Sequence, residues 1–211
     1  GFWADSFSDL DNTGSDSLNT VKKREYGLAG QGFYKSDDDK LKVRLSAGRF
    51  VARRLYFGTS NRAEGDLYQG TRDNLSLDVS YDTGKLLSLA AGGNLERENS
   101  DQTTRYSGDF NAHISTRSAY GELALRPAQG LTLTGAARVD DNSRFGTFDT
   151  YRGTLAYVTG PVKFRASYGS GAKAPGLYQL FDPTYGNAGL KAEKSRGGDL
   201  GVDVTLNETL S

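Results

Sequence analysis

The sequence predicts an all-β protein and, more narrowly, an antiparallel transmembrane β-barrel segment of about nine strands. Three observations predict it. Apolar and polar residues alternate with a period of two along most of the 211 residues. The chain has 27 Gly and 12 Tyr but only 4 Pro, a composition that favours strands and turns over helices. Short and long connections alternate along the chain, as they do in outer-membrane barrels.

Each predicted strand has one apolar and one polar side. In the segment 66–81, for example, Leu75, Leu77 and Val79 alternate with serine and aspartate residues. Asp82-Thr83-Gly84 is a tight turn, and alternation resumes in 87–96, so these segments form a predicted hairpin. The remaining strands are predicted at about 22–34, 41–51, 117–126, 131–140, 151–157, 162–168 and 199–206. No helix is predicted.

The connections fall into two classes. Short ones are predicted near 36–40, 82–84, 127–130 and 159–161, and long ones near 4–20, 52–65, 97–105, 141–150 and 169–195. The polar sides of the strands carry full charges, as expected for a lumen: Arg44, Glu96, Glu122, Arg138, Asp140 and Arg165. A soluble β-sandwich shows a similar pattern and stays open as an alternative, but the one-sided charge favours the barrel.

Composition excludes several classes of protein. Lys plus Arg and Asp plus Glu are 26 each, so the net charge is zero and no nucleic-acid partner is expected. The absence of Cys excludes disulfide scaffolds and thiol nucleophiles. The one histidine, His113, has no catalytic motif around it. Gly169–Ala174 fits a nucleotide-binding fingerprint, but the helix that this fingerprint needs is not predicted. The chain is therefore not expected to be an enzyme.

Two blocks of sequence resemble a known family. The stretch 167–195, SYGSGAKAPGLYQLFDPTYGNAGLKAEKS, resembles the signature of TonB-dependent outer-membrane receptors. The matching positions include Lys173, Pro175, Gly186, Asn187 and Glu193, whereas Ala192 stands where the family usually has Pro. The stretch 135–146, GAARVDDNSRFG, is similar to the vitamin B12 (cobalamin) receptor branch through Arg138, Asp140, Asp141 and Asn142.

The resemblance implies a 22-strand barrel with an N-terminal plug, which imports a scarce nutrient with energy from TonB. Cobalamin is the first candidate ligand, and a siderophore or other metal chelate is the alternative. We expect residues 1–211 to be a partial barrel domain that lacks the plug and terminal strands, since only about nine of those strands are predicted in it. The absence of Met also indicates an internal piece of a longer protein, or a mature chain. A non-transporting structural β-protein, which would fold in water without detergent, stays open as the alternative from another class. A barrel that serves as a partner-docking surface in a larger envelope assembly also stays open.

Candidate site residues follow from these expectations. Aromatic side chains in the predicted loops offer stacking surfaces for a ligand: Tyr56, Phe57, Phe145, Phe148, Tyr178 and Tyr185. Arg138 and Asp140 are expected to form a charged lumen wall, paired with each other or with the plug. Asp9, Asp11 and Asp16 offer the hard oxygen ligands that calcium requires, and cobalamin receptors, which the chain resembles, carry acidic calcium-binding loops near this region. A solvated acidic loop without calcium stays open as the alternative, and no other cofactor is expected. The expected surroundings are outer-membrane lipid and lipopolysaccharide of the bacterial cell outer membrane.

Overall fold

A computed structural model describes residues 1–10, 19–58, 64–105 and 108–205. They form one antiparallel sheet of ten strands in which each strand pairs with its neighbours in sequence. The strands are β1 (Phe2–Asp9), β2 (Thr20–Lys35), β3 (Leu41–Phe57), β4 (Asp66–Asp82), β5 (Leu87–Thr103), β6 (Phe110–Ala128), β7 (Leu131–Asn142), β8 (Gly146–Thr159), β9 (Val162–Lys173) and β10 (Glu193–Val204). A short helix, α1 (Leu177–Phe181), lies between β9 and β10.

The register sorts the side chains onto two faces. We call the side of Leu45, Leu77 and Val79 the apolar face, and the side of Arg44 and Asp78 the polar face. Leu45 is paired with Leu77, and Arg44 with Asp78. On the apolar face, Leu45, Leu77 and Leu95 are 51%, 46% and 53% exposed. Leucine rows this exposed require an apolar environment outside the sheet, which hydrocarbon provides.

The all-β prediction is confirmed, but three details of it were wrong. The described residues form ten strands where about nine were predicted, because Phe2–Asp9 pairs with β2 inside the predicted connection 4–20. Strands also continue through much of the predicted loops 52–65, 97–105 and 141–150. In 97–103 both sides of the strand are polar, and in 52–57 and 141–150 apolar and polar residues no longer alternate. The period-two signal therefore disappears while backbone pairing continues. Finally, α1 forms where no helix was predicted.

The longest strands extend well past the apolar rows. β6 has 19 residues, and β3, β4 and β5 have 17 each, so at about 3.3 Å per residue these strands are roughly 56–63 Å long. The hairpins therefore continue beyond the apolar rows toward the long connections, which we call the long-loop end. No helix among the described residues is both long enough and apolar enough to span a membrane.

Candidate ligand-binding site

A chain of polar contacts crosses four strands on the polar face. The Arg44 guanidinium donates to one Asp78 carboxylate oxygen through Nε (3.1 Å) and Nη2 (3.0 Å). The Tyr120 hydroxyl donates to the other Asp78 oxygen. Tyr120 reaches Asp78 over Gly92, where a Cβ would collide with its ring and would lie 2.7 Å from the Leu77 carbonyl oxygen. Only glycine at this position leaves room for the crossing.

Arg138 and Asp140 continue this chain on β7. The Arg138 Nη2 lies 2.8 Å from an Asp140 oxygen, and Ser118 donates to Asp140 at 2.5 Å. The Arg138 guanidinium carbon also lies 5.6 Å from the centre of the Tyr120 ring. The two charges therefore pair with each other across a half-buried surface. A role of Arg138 and Asp140 in transport stays a prediction.

The segment that follows β9 folds back onto the polar face at the long-loop end. Leu177 and Leu180 of α1 are 8% and 2% exposed and pack against Ile114 of β6. Phe145 and Phe181 pack against this cluster. Ile114 lies on the polar face, as shown by its pairing opposite Glu98. This small apolar cluster holds the helix against the sheet.

Asp182 anchors the end of α1. The residue is 4% exposed, and its carboxylate accepts a hydrogen bond from the Gln102 amide at 2.8 Å. The other oxygen accepts from the backbone N–H groups of Thr184 at 3.0 Å and Tyr185 at 2.7 Å. A carboxylate this buried is stable only with such partners. Asp182 therefore ties α1, the following turn and β5 together.

The turn after Asp182 depends on the Gly186-Asn187 pair of the family signature. A Cβ on Gly186 would lie 2.7 Å from the Asp182 nitrogen, so no larger residue fits. The Asn187 N–H donates to the Gln179 carbonyl at 2.8 Å. Arg144, in the β7–β8 connection, donates to the Ala188 carbonyl at 2.9 Å. These contacts close the segment onto the sheet.

A cavity of about 780 Å³ opens beside α1 on the polar face. Three tyrosines from three elements line it: Tyr56 of β3, Tyr68 of β4 and Tyr178 of α1. Arg54 and Lys23 add two cationic side chains. Partial burial raises the pKa of the Tyr178 hydroxyl above its ordinary value, with further contributions from Asp182 and Tyr185. A tyrosine hydroxyl is protonated at neutral pH even at its ordinary pKa, so Tyr178 can donate a hydrogen bond to a ligand.

The structure brings together only some of the residues that the sequence suggested for ligand binding. Tyr56 and Tyr178 meet at the cavity. Phe145 packs in the α1 cluster. Phe148 is 8% exposed, and the centre of its ring lies 6.5 Å from the centre of the Phe145 ring. Phe57 lies on the apolar face with the Lys22 ammonium 5.4 Å from its ring centre. Tyr185 is 76% exposed and does not line the cavity.

The remaining signature residues have structural positions. Asn142 is 6% exposed and accepts hydrogen bonds from the N–H groups of Arg144 and Phe145, which closes the β7–β8 turn. Asp141 lies on the apolar face, opposite Arg117. Lys173 and Glu193 are register partners where β9 and β10 meet, and Pro175 lies between β9 and α1.

Sequence reasoning missed Tyr68, Arg54, Lys23, Gln102 and Asp182. The strand register could have found Tyr68, since it is paired opposite Arg54. Nothing in the local sequence signals the contact between Gln102 and Asp182, because the two lie 80 residues apart.

The candidate calcium residues fall mostly outside the described part of the chain. Asp9 is exposed at the end of β1, whereas Asp11 and Asp16 lie outside the described residues. Across the described ranges, no group of three or more His, Cys, Asp or Glu side chains is arranged to hold a metal ion.

Comparison with known proteins places this geometry in context. The profile of the TonB dependent receptor-like β-barrel family matches residues 2–211. The vitamin B12 transporter BtuB of Vibrio cholerae serotype O1 is 39% identical over 87 residues, which are 41% of this chain and 14% of that protein. The vitamin B12 transporter BtuB of Vibrio vulnificus is 32% identical over 117 residues, or 55% of this chain and 19% of that protein.

Solved structures agree on the fold. The siderophore receptor PirA of Pseudomonas aeruginosa superposes with a TM-score of 0.73 at 21% identity. The match covers 90% of this chain and 36% of that receptor. At this identity the likeness shows the fold alone. The chain thus spans about a third of this solved relative and less than a fifth of the two curated ones.

Proposed function

Because this chain belongs to the TonB-dependent receptor-like β-barrel family, we propose that it is part of the wall of an outer-membrane transporter. In this proposal the apolar face contacts lipid and lipopolysaccharide, and the polar face lines the lumen. A plug domain fills that lumen and moves when TonB pulls on it. The protein takes up a scarce nutrient from the long-loop end and catalyses no covalent reaction.

The cavity beside α1 carries the proposal. It lies on the polar face at the long-loop end, where a ligand arriving from outside would first meet the lumen. Its volume of about 780 Å³ lies in the range of ligand pockets. Tyr56, Tyr68 and Tyr178 offer flat apolar surfaces with hydroxyl groups at their edges, which suits a large ligand with both apolar and polar parts.

Cobalamin is our first candidate ligand. The support is the 39% identity over 87 residues to proteins that transport vitamin B12. An anionic metal chelate is the second candidate, and a specific observation favours it. Arg54 and Lys23 both line the cavity, and its described lining contains no carboxylate. Lys23 is paired with Glu25 at 2.8 Å, so Arg54 supplies most of the attraction for an anion.

Uptake assays test the proposal. The full-length receptor is expressed in a Gram-negative host that lacks its own cobalamin receptor, with and without TonB. We expect labelled cobalamin uptake that requires TonB and falls about tenfold in Tyr178→Ala, since one stacking side chain contributes roughly 1–3 kcal/mol. Tyr34→Ala, at the other end of the sheet, is the matched control. Uptake that persists without TonB contradicts the mechanism, and competition by ferric chelates but not by cobalamin selects the second ligand.

Calcium at Asp9, Asp11 and Asp16 is a separate part of the proposal. Oxygen ligands of this kind suit calcium, and the three residues lie within 8 positions of one another in the sequence. Calorimetric titration of the purified receptor with calcium, compared with an Asp11→Asn/Asp16→Asn variant, tests it. Equal heats from both proteins would exclude this site.

A further inference from the structure

The β7–β8 connection contacts residues 177–190, which we call the α1 segment. Arg144 of this connection donates a hydrogen bond from Nη2 to the Ala188 carbonyl oxygen at 2.9 Å. Its guanidinium carbon also lies 5.6 Å from the centre of the Phe181 ring, at the end of α1. A cation this close to an aromatic ring is attracted to it. One side chain therefore holds the α1 segment at two separate points.

Hydrogen bonds fix the backbone from which the Arg144 side chain extends. The side-chain oxygen of Asn142 accepts from the N–H groups of Arg144 and Phe145, at 3.0 and 3.1 Å. The Asn142 amide donates to the Thr116 hydroxyl of β6 at 2.9 Å, and Asn142 is 6% exposed. The base of the Arg144 side chain is therefore tied to both β6 and β7.

Phe145, the next residue in the connection, also contacts α1. It packs against the cluster formed by Ile114, Leu177 and Leu180. Two adjacent side chains of the connection, one cationic and one apolar, thus pack against the same helix. Contacts of both kinds restrict how α1 can turn on the sheet.

The connection belongs to the block 135–146 that resembles the cobalamin branch. None of the described residues that line the cavity of about 780 Å³ comes from this block. Any effect of the block on a ligand in the cavity must therefore pass through an element that the block contacts. The helix α1 is such an element, since Tyr178 lines the cavity.

The path from Arg144 to the Tyr178 ring is short. Arg144 holds the carbonyl of Ala188. The N–H of the preceding residue, Asn187, donates to the Gln179 carbonyl of α1 at 2.8 Å. Gln179 follows Tyr178 directly in the sequence. A change in the orientation of α1 therefore displaces the Tyr178 ring within the cavity.

We propose that Arg144 is a positioning residue for the ligand site. By holding Phe181 and Ala188, it fixes the orientation of α1 and thereby the place of the Tyr178 ring. The inference rests on the proposed function, because it takes the cavity as the site of the transported ligand. Binding sites keep their geometry when residues behind them lock the side chains that contact the ligand. The cobalamin-like block then shapes the site without touching the ligand.

The position of Tyr178 can be measured without a ligand. The full-length receptor carries meta-fluorotyrosine at position 178, and its fluorine NMR resonance is recorded in detergent micelles. The test variant is Arg144→Gln, and Arg144→Lys keeps the positive charge and a hydrogen-bond donor. Arg152→Gln, which replaces an exposed arginine within β8, is the matched control. Heat-modifiable gel mobility verifies that every variant is folded.

We expect Arg144→Gln to shift or broaden the fluorine resonance, because α1 loses one of its fixed contacts. In the same variant, hydrogen–deuterium exchange of the amides in 183–190 should be at least about tenfold faster. Arg144→Lys should restore most of the parent spectrum, and Arg152→Gln should match the parent. A fluorine resonance in Arg144→Gln identical to that of the parent overturns the proposal.

Ligand binding gives the second readout, with cyanocobalamin titrated into the same proteins in a calorimeter. We expect Arg144→Gln to weaken binding about three- to tenfold, since it displaces the Tyr178 ring rather than removing it. In a Tyr178→Ala background the arginine substitution should have no further effect, because it acts through that ring. Equal weakening in both backgrounds overturns the positioning role. A parent receptor that does not bind cyanocobalamin contradicts the proposed ligand, and the fluorine resonance then decides the role of Arg144.

Discussion

Replacement of Asp182 by Ala should release the segment after α1 from the sheet. Asp182 is 4% exposed, and its carboxylate accepts hydrogen bonds from Gln102, Thr184 and Tyr185. Its removal leaves the buried Gln102 amide without this acceptor, whereas water can reach the two backbone N–H groups near the surface. Hydrogen bonds to charged groups contribute about 1.5–3 kcal/mol each. We therefore expect the segment to lose about 3 kcal/mol of local stability, which is the upper end of the range for the one buried hydrogen bond, from Gln102.

Hydrogen–deuterium exchange on the full-length receptor measures this loss directly. A local change of about 3 kcal/mol raises the exchange rate of amides in 177–188 roughly 100-fold. Amides of β5 and β6 away from the segment should keep their protection, because the sheet does not depend on Asp182. Asp149→Ala, which removes an exposed carboxylate of the same type on β8, should leave 177–188 unchanged.

The exchange result has a functional counterpart. Tyr178 lines the cavity from α1, so an opened segment withdraws one wall of the proposed ligand site. Ligand affinity should fall in Asp182→Ala even though the residue itself does not line the cavity. Unchanged exchange of 177–188 in this variant would refute the anchoring role, whatever happened to uptake.

Three further outcomes are expected. Gly92→Ala should lower the unfolding temperature of the full-length receptor more than Tyr120→Phe, because the added Cβ meets the backbone carbonyl of Leu77 at 2.7 Å as well as the tyrosine ring; equal shifts would show that the neighbouring strand yields freely. Arg138→Glu should lower uptake without loss of folded receptor, and uptake equal to the parent would remove this arginine from the mechanism. Hydrogen bonds from Ser36 and Lys40 lower the pKa of Asp38, in the β2–β3 turn, from 3.8 to about 2. Since the folded-state pKa is the lower one, Asp38 stabilises the turn above about pH 4 and loses this effect as the pH falls toward 2; the stability difference between the parent and Asp38→Asn should shrink over that range in thermal unfolding.

The sequence by itself determined the fold class, the faces of the strands and the family. Alternation assigned Leu77 and Val79 to one side and Asp78 to the other, because successive residues of a strand point in opposite directions. The residue types of Asp82–Gly84 predicted a turn. In the structure the Asp82 side chain accepts a hydrogen bond from the Gly84 N–H at 2.8 Å, and Gly84 has a φ of +96°. These are local properties, so a single segment contains all the information.

Only the tertiary structure decided how far the strands continue and which distant residues they bring into contact. Beyond the leucine rows apolar and polar residues stop alternating, so the sequence pattern no longer predicts strands where backbone pairing continues. The crossing of Tyr120 over Gly92 to Asp78 depends on the register between β4, β5 and β6, which no single strand encodes. The cavity depends on the same kind of long-range information. Tyr178 lies beside Tyr56 and Tyr68 because α1 packs on Ile114. The hydrogen bond between Asp182 and Gln102 holds it there. Contacts between residues 40 to 80 positions apart are set by packing and pairing of the whole sheet, and that is why the site appeared only with the structure.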